Sequence, residues 1–277
     1  MARETSTMLW KISSAAIHVT AAAATVAYPH AWPWALGAVA ANHATLTAAG
    51  LWPRSTLLGS NWTRLPTAAA AERSVAVSID DGPDPAVTPR VLDILEHHGA
   101  QATFFCIGRR VLEHRDLAQE IIRRGHTIEN HSFGHPNYFS LLGPRAMAAQ
   151  VSAAQEAIAM VTGHTPRFFR APAGLRNPFL DAVLRRLDLQ LTSWTRRGFD
   201  TVTSDARLVL QRLAHGLGGG DILVLHDGNA ARDARGAPVI YEVLPRLLDE
   251  LAARELTPVT LNAAWRSSAN ASMRSPS

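Results

Sequence analysis

The sequence predicts an α/β domain in which parallel strands alternate with helices around a barrel or barrel-like sheet, carried behind an apolar helical hairpin. Three observations predict it. From residue 73 onward, short β-branched or apolar runs alternate with amphipathic helical patterns, about seven times, which implies parallel βα units. Of the 277 residues, 47% are hydrophobic and 18% charged, a composition that excludes a disordered chain and supports one sizeable core. Finally, the stretch from Ile12 to Pro53 contains no Asp, Glu, Lys or Arg.

That uncharged stretch comes first. It breaks at Pro29-His30-Ala31-Trp32-Pro33, leaving an apolar run on each side of about twenty residues, the length a membrane-spanning helix needs. Residues 1–55 are therefore expected to be membrane-anchoring helices that contact lipid. A cleaved signal peptide, or soluble helices packed on the domain, are the alternatives, since alanine is only mildly hydrophobic and His18 and His43 interrupt the runs. Arg3 and Lys11 before the first run and Arg54 and Arg64 after the second point, by the positive-inside rule, to a bacterial inner-membrane protein with its domain facing the cytoplasm. Residues 56–72 read as a linker, residues 73–265 as the main domain, and the Ser- and Asn-rich residues 266–277 as a disordered tail.

Within the domain, strand patterns fall at Ser74 to Ile79, Ala102 to Ile107, Thr127 to Asn130, Arg167 to Arg170, Leu189 to Trp194, Ile222 to Leu225 and Pro258 to Leu261. Helical patterns fill the gaps at Val87 to His98, Val111 to Arg124, Pro144 to Thr162, Asn177 to Leu187, Asp205 to His215 and Val239 to Arg254. Gly99, Gly125 and Gly163 stop the first three helices. The net charge of +4 comes almost wholly from arginine, and the arginine doublets are scattered along the chain. No basic tract gathers for nucleic acid, so none is expected as a partner. The single cysteine, Cys106, cannot pair internally and reads as a small buried hydrophobe.

The chemistry sits at strand ends. Asp80-Asp81, His131, Arg170 and His226 each close a predicted strand just before a loop, and in a parallel barrel those ends converge on one face. Adjacent carboxylates leaving a strand point different ways, so one of Asp80 and Asp81 can bind a metal while the other moves protons, with Gly82-Pro83 forcing the turn. An Asp helix cap is the alternative. His131 and His135 lie four apart and can grip one ion, although such pairs also arise on surface helices. Two His and one Asp make the open three-ligand site that catalytic zinc uses. Arg170, entering the turn at Ala171-Pro172, can clamp a carboxylate or make a plain surface salt bridge. His226, delivered by an apolar strand, suits a general acid or a buried structural role.

Together these motifs resemble the polysaccharide deacetylase family (the NodB homology domain of carbohydrate esterase family 4), over roughly Arg73 to Leu261. The resemblance implies an irregular (β/α)7 barrel and a divalent metal, Zn2+ or another transition ion such as Co2+, Ni2+ or Mn2+. It implies Asp80 as general base, with Asp81, His131 and His135 as metal ligands. Arg170 would pair with the base, and Leu225-His226 would supply a substrate contact and the general acid. Pro172 belongs to the family's Arg-x-Pro motif and is expected near substrate. The family's Asp-Trp pair departs here: Asp200 is assigned to tune the acid although no Trp follows it, and Trp194 or Phe199 would supply the aromatic wall. Ala173 stands where a tyrosine is common.

The implied activity is hydrolysis of N-acyl groups from amino sugars of a glycan or lipid-linked sugar. O-deacetylation would use the same metal site. A non-catalytic glycan-binding relic would lose ionisable groups from the motifs, and none is lost. A membrane scaffold whose barrel only docks partners is the third class. The residues leave the glycan and the oligomeric state open.

Overall fold

The computed structural model describes the backbone of residues 2–274 and the side chains of residues 9–269. Two long helices, α1 (Ala2–Ala27) and α2 (Trp32–Leu51), form the expected hairpin about a single 3₁₀ turn at Pro29–Ala31. Polar groups meet inside the pair. Asn42 Nδ2 donates to Ser14 Oγ at 2.9 Å, and the Nε2 atoms of His18 and His43 lie 3.2 Å apart. Apolar side chains are left facing outward. No helix among the described residues is long and apolar enough to cross a membrane, which corrects the spanning expectation. The alanines that lengthen both runs contribute helix propensity but little transfer energy.

After the short helix α3 (Thr67–Ala71) the barrel begins with β1 (Ser74–Asp80). The remaining elements are α4 (Thr88–His97), β2 (Thr103–Cys106), α5 (Gly108–Glu113), α6 (Arg115–Arg123), β3 (Thr127–Asn130), α7 (Pro144–Thr162), β4 (Phe168–Phe169), α8 (Leu180–Arg186), β5 (Gln190–Leu191), β6 (Arg196–Arg197), α9 (Ala206–Ala214), β7 (Ile222–His226), α10 (Ile240–Ala253), β8 (Thr257–Val259) and α11 (Leu261–Arg274). Every strand pairing is parallel, in the order β5-β4-β3-β2-β1-β7-β6, with β8 pairing the start of β1.

The curled sheet does not close strand to strand. Its edges, β5 and β6, are bridged by the segment expected to be a linker: Trp62 donates its N–H to the Leu191 carbonyl and accepts from Ser193 N, while Thr195 Oγ1 donates to Thr63 O. Residues 61–65 thus fill the seam.

Alternation along β1 sorts the interior. Val75, Val77 and Ile79 join Leu223 and Leu225 in the layer against α4, α9 and α10, where Cys106 is also buried. Ala76 and Ile222 pack with Phe105, Phe168, Leu261 and Ala264, so α11 plugs the N-terminal end of the barrel. The residues from Arg266, expected as a disordered tail, continue this helix to Arg274, and residues 275–277 lie outside the described part. Ser78, Asp80 and His226 occupy the interior at the other end, where the strands open.

Candidate active site

Four strand ends build one cavity of about 190 Å³, lined by Asp80, Asp81, His131, His135, His226 and neighbouring loop residues. β1 ends on Asp80, directly in register with His226 at the end of β7. β3 delivers His131, and β4 delivers Arg170, whose N–H bonds to Asn130 O. The loops that follow hold non-glycine residues at positive φ: Asp81 (77°), Ser132 (63°), His135 (49°) and Ala173 (54°). Such conformations are costly, and here they cluster where side chains must be aimed at one point.

Arg170 is buried and accounts for its donors. Its Nη1 binds Asp80 Oδ1 at 2.6 Å and Ser78 Oγ at 2.7 Å; Nη2 and Nε reach the carbonyls of Ser193 and Thr192. The guanidinium stacks 4.0 Å from the centroid of the Phe105 ring. A fixed guanidinium on one oxygen of Asp80 leaves the other oxygen to act as base.

Asp81, His131 and His135 offer ligand atoms within 4.8 Å of one another. Asp81 Oδ1 is buried, accepts no conventional hydrogen bond, and lies 3.2 Å from Nε2 of both histidines. His131 Nδ1 faces the Arg170 carbonyl at 2.8 Å, which places its proton on Nδ1 and turns the Nε2 lone pair towards Asp81. A carboxylate oxygen and a lone pair repel unless a proton or a cation stands between them. One cation satisfies all three groups at once, so the residues fit a divalent metal of the open three-ligand type. Burial pushes the Asp81 carboxyl up, but His131, His226 and His135 outweigh it and hold it well below the usual carboxylate range. Burial and the neighbouring His131 draw His135 down to about 4, leaving it neutral as a ligand must be.

His226 is held the other way. Burial lowers it, but the Asp200 carboxylate, with Asp80 and Asp81 behind it, raises it to about 9. Asp200 is fully buried and spends both oxygens on this residue, Oδ1 on Nδ1 at 2.9 Å and Oδ2 on the backbone N–H at 2.8 Å. His226 therefore presents a protonated Nε2 to the cavity.

Two expected substrate contacts are displaced. Leu225 points into the layer between sheet and helices, and Val224, one position earlier on the face of His226, lines the cavity instead. Pro172 shapes its 3₁₀ turn, while Ala171, Ala173 and Gly174 line the site. Trp194 lines it as expected.

Asn229 and Arg110 join the site without a motif of their own. Asn229 donates to Asp81 Oδ2 at 2.9 Å and so orients the ligand carboxylate. Arg110 donates to the Asp81 carbonyl. Gly82 is required because a Cβ there would meet Asp227 Oδ2 at 2.5 Å. The hint for Asn229 is its position in the loop just after Leu225-His226.

An irregular parallel barrel with a two-His, one-Asp trio, an arginine-held carboxylate and an imidazolium in a single cavity defines a deacetylase-type hydrolase. A family model described as polysaccharide deacetylase matches residues 67–192. The chitooligosaccharide deacetylase of Azorhizobium caulinodans is 34% identical over 158 residues, 57% of this chain and 75% of that one. The peptidoglycan-N-acetylglucosamine deacetylase of Bacillus cereus is 31% identical over 178 residues, 64% and 82% of the two chains. Among solved structures, a family 4 carbohydrate esterase pseudoenzyme from Bacillus anthracis superposes with a TM-score of 0.65 at 22% identity, covering 74% of this chain and 68% of that one. That last likeness concerns the fold alone. The chain belongs to the polysaccharide deacetylase family.

Proposed function

We propose that the chain is a metal-dependent N-deacylase acting on acylated amino sugars. The observation that carries the reading is Asp81 Oδ1, an unpartnered buried acceptor 3.2 Å from two imidazole nitrogens, in the same cavity as Asp80 and His226. Asp81, His131 and His135 would hold the ion, Zn2+ by the preference of a mixed N/O trio. When bound, such an ion polarises the amide carbonyl and lowers the pKa of a coordinated water from its bulk value towards about 7.

The chain's own groups do the rest. Asp80, with Oδ1 held by Arg170, accepts the proton of the attacking water on its remaining oxygen. His226 Nε2 gives its proton to the departing nitrogen. An amine leaves poorly unless protonated, and an imidazolium fixed by Asp200 supplies that proton, which favours an amide over an ester as substrate. Retention of every ionisable group argues against a relic of the fold.

Asp80→Asn should keep its metal and lose about 10²–10⁴ in kcat, the worth of one proton-transfer group. His131→Ala should lose both metal and turnover. Acetate release from a chitooligosaccharide, with metal content measured on the same preparations, tests this; an Asp80→Asn enzyme of undiminished turnover refutes the base assignment.

The hairpin supports a second part of the proposal: attachment to a membrane surface by lipid contact without spanning. Val26 and Trp34 are 84% and 83% exposed, and the exposed Tyr28 and Trp32 lie between them at the tip. Tyr and Trp rings suit the headgroup level. Lys11 and Arg54 at the two ends of the uncharged stretch favour the anionic cytoplasmic face of the inner membrane.

A further inference from the structure

We propose that the substrate bears a phosphate ester on its acylamino sugar, and that Arg54 and Arg197 hold that phosphate in a basic groove opening from the catalytic cavity. This rests on the N-deacylase reading and names the substrate class for that site. The groove encloses about 600 Å³ and shares Trp194 and Arg197 with the cavity around the metal ligands. Four arginines line it, Arg54, Arg196, Arg197 and Arg212, and among the described residues no Asp or Glu does.

The four are not equivalent. Arg196 is neutralised, its Nε 3.0 Å from Asp221 Oδ2 and its Nη atoms on the His215 and Gly216 carbonyls. Arg212 braces the loop before α9 through Gly198 O and Thr203 Oγ1. Arg197 has no ion pair among the described residues. Its guanidinium lies against the rings of Trp194 and Phe199, 5.2 and 5.0 Å from their centroids, and its buried Nε has no hydrogen-bond partner among the described residues. Arg54, exposed at the foot of the hairpin, has none among the described residues either.

A guanidinium held against two rings with unused donors is a preorganised fork for an anion. A phosphate has three acceptor oxygens and a charge of about −1.5 to −2 near neutral pH, and so can bridge Arg197 and Arg54, which a two-oxygen carboxylate does less completely. Neutral glycans would stack on Trp194 and Phe199 but would leave these cations uncompensated.

The test is equilibrium binding to the full-length, zinc-loaded Asp80→Asn variant, comparing N-acetylglucosamine 1-phosphate with the neutral methyl glycoside of N-acetylglucosamine. The phosphorylated probe should bind at least about tenfold tighter, with strong salt dependence. Arg197→Gln and Arg54→Gln should each shrink that ratio, and the double substitution should abolish it. Because Arg54 is exposed, its variant tests the site even if Arg197→Gln folds poorly. Equal affinities for the two probes overturn the proposal. So does a preference that survives both substitutions, since the phosphate would then be sitting on the metal. Wild-type acetate release from the neutral probes judges the deacylase reading separately: turnover without a phosphate preference sinks only the present inference. A lipid-anchored phosphomonoester of an N-acylated glucosamine in vesicles, run beside the free sugar phosphate, tells a lipid-borne phosphate from a soluble one.

Discussion

Burial and neighbouring charge decide the proton inventory of the site. His135, desolvated and beside His131, is neutral although Asp81 also faces it; His226, held by Asp200, is protonated up to about 9. A donor with a raised value is present below it and lost as pH rises through it, so deacylation should fall on the alkaline side. The positive charge of a bound cation moves that limb downward without changing its sense. Asp200→Asn removes the charge that sustains the imidazolium while keeping the shape, and should move the alkaline limb of kcat/KM down by about one to three units. A pH profile of the metal-loaded enzyme measures this, and an unshifted limb assigns the proton donor elsewhere. The positions of Asp80, His131, Arg170 and His226 were legible because each stands where an apolar strand run meets a turn. The side-chain direction of Leu225 follows from the alternation of β7: with His226 facing the cavity, Val224 faces it too and Leu225 faces the helices.

At the scale of elements, β3 and α7 appear at the bounds their patterns predict, because isolated apolar periodicity and a stopping Gly163 leave no alternative. Elsewhere periodicity overruns. The single helix expected from Val111 to Arg124 breaks at His114 (φ −125°, ψ 55°) into α5 and α6, since the apolar spacing continues across the kink. β6 is two arginines, invisible to a hydrophobic pattern, and exists because β7 offers pairing partners in Leu223 and Val224. The C-terminal α11 was missed because only its first turns are apolar; Leu261 and Ala264 enter the barrel floor. There Asn262 Nδ2 donates to Glu129 Oε1 at 2.7 Å, while Glu129 Oε2 takes the N–H groups of Arg167 and Phe168. Asn262→Ala would leave a buried carboxylate one donor short, at a cost of about 1–3 kcal/mol. Thermal unfolding should show this as a drop of several degrees, at about 2–4 °C per kcal/mol for a domain this size. An unchanged midpoint would mean that α11 is held by its apolar face alone.

For the molecule as a whole, the hairpin is tied to the rim of the catalytic cavity. Gly50 O accepts from Arg176 N, Pro53 O accepts from Asn61 Nδ2 and Ser193 Oγ, and Pro53 packs against Gly174 of the cavity wall. At Gly50 a Cβ would strike the Arg176 carbonyl, which explains a glycine at that contact. Whatever surface the hairpin binds is thereby set at a fixed distance from the active site. A lipid surface matches the outward apolar side chains, whereas a second copy would have to cover exposed residues on both helices. Full-length protein should therefore co-float with vesicles containing anionic phospholipid. Burying one large apolar side chain contributes about 1.5–3 kcal/mol. Substituting Val26, Trp32 and Trp34 together by serine should accordingly weaken flotation by more than about tenfold, even if only half of that burial is realised, since 1.4 kcal/mol is a factor of ten. Acetate release from soluble substrate should be retained in that variant, because its substituted tip lies a helix length from the cavity. Flotation unaffected by the three serines, or a wild-type chain that stays out of the vesicle layer and sediments as a dimer, would transfer this surface from lipid to protein.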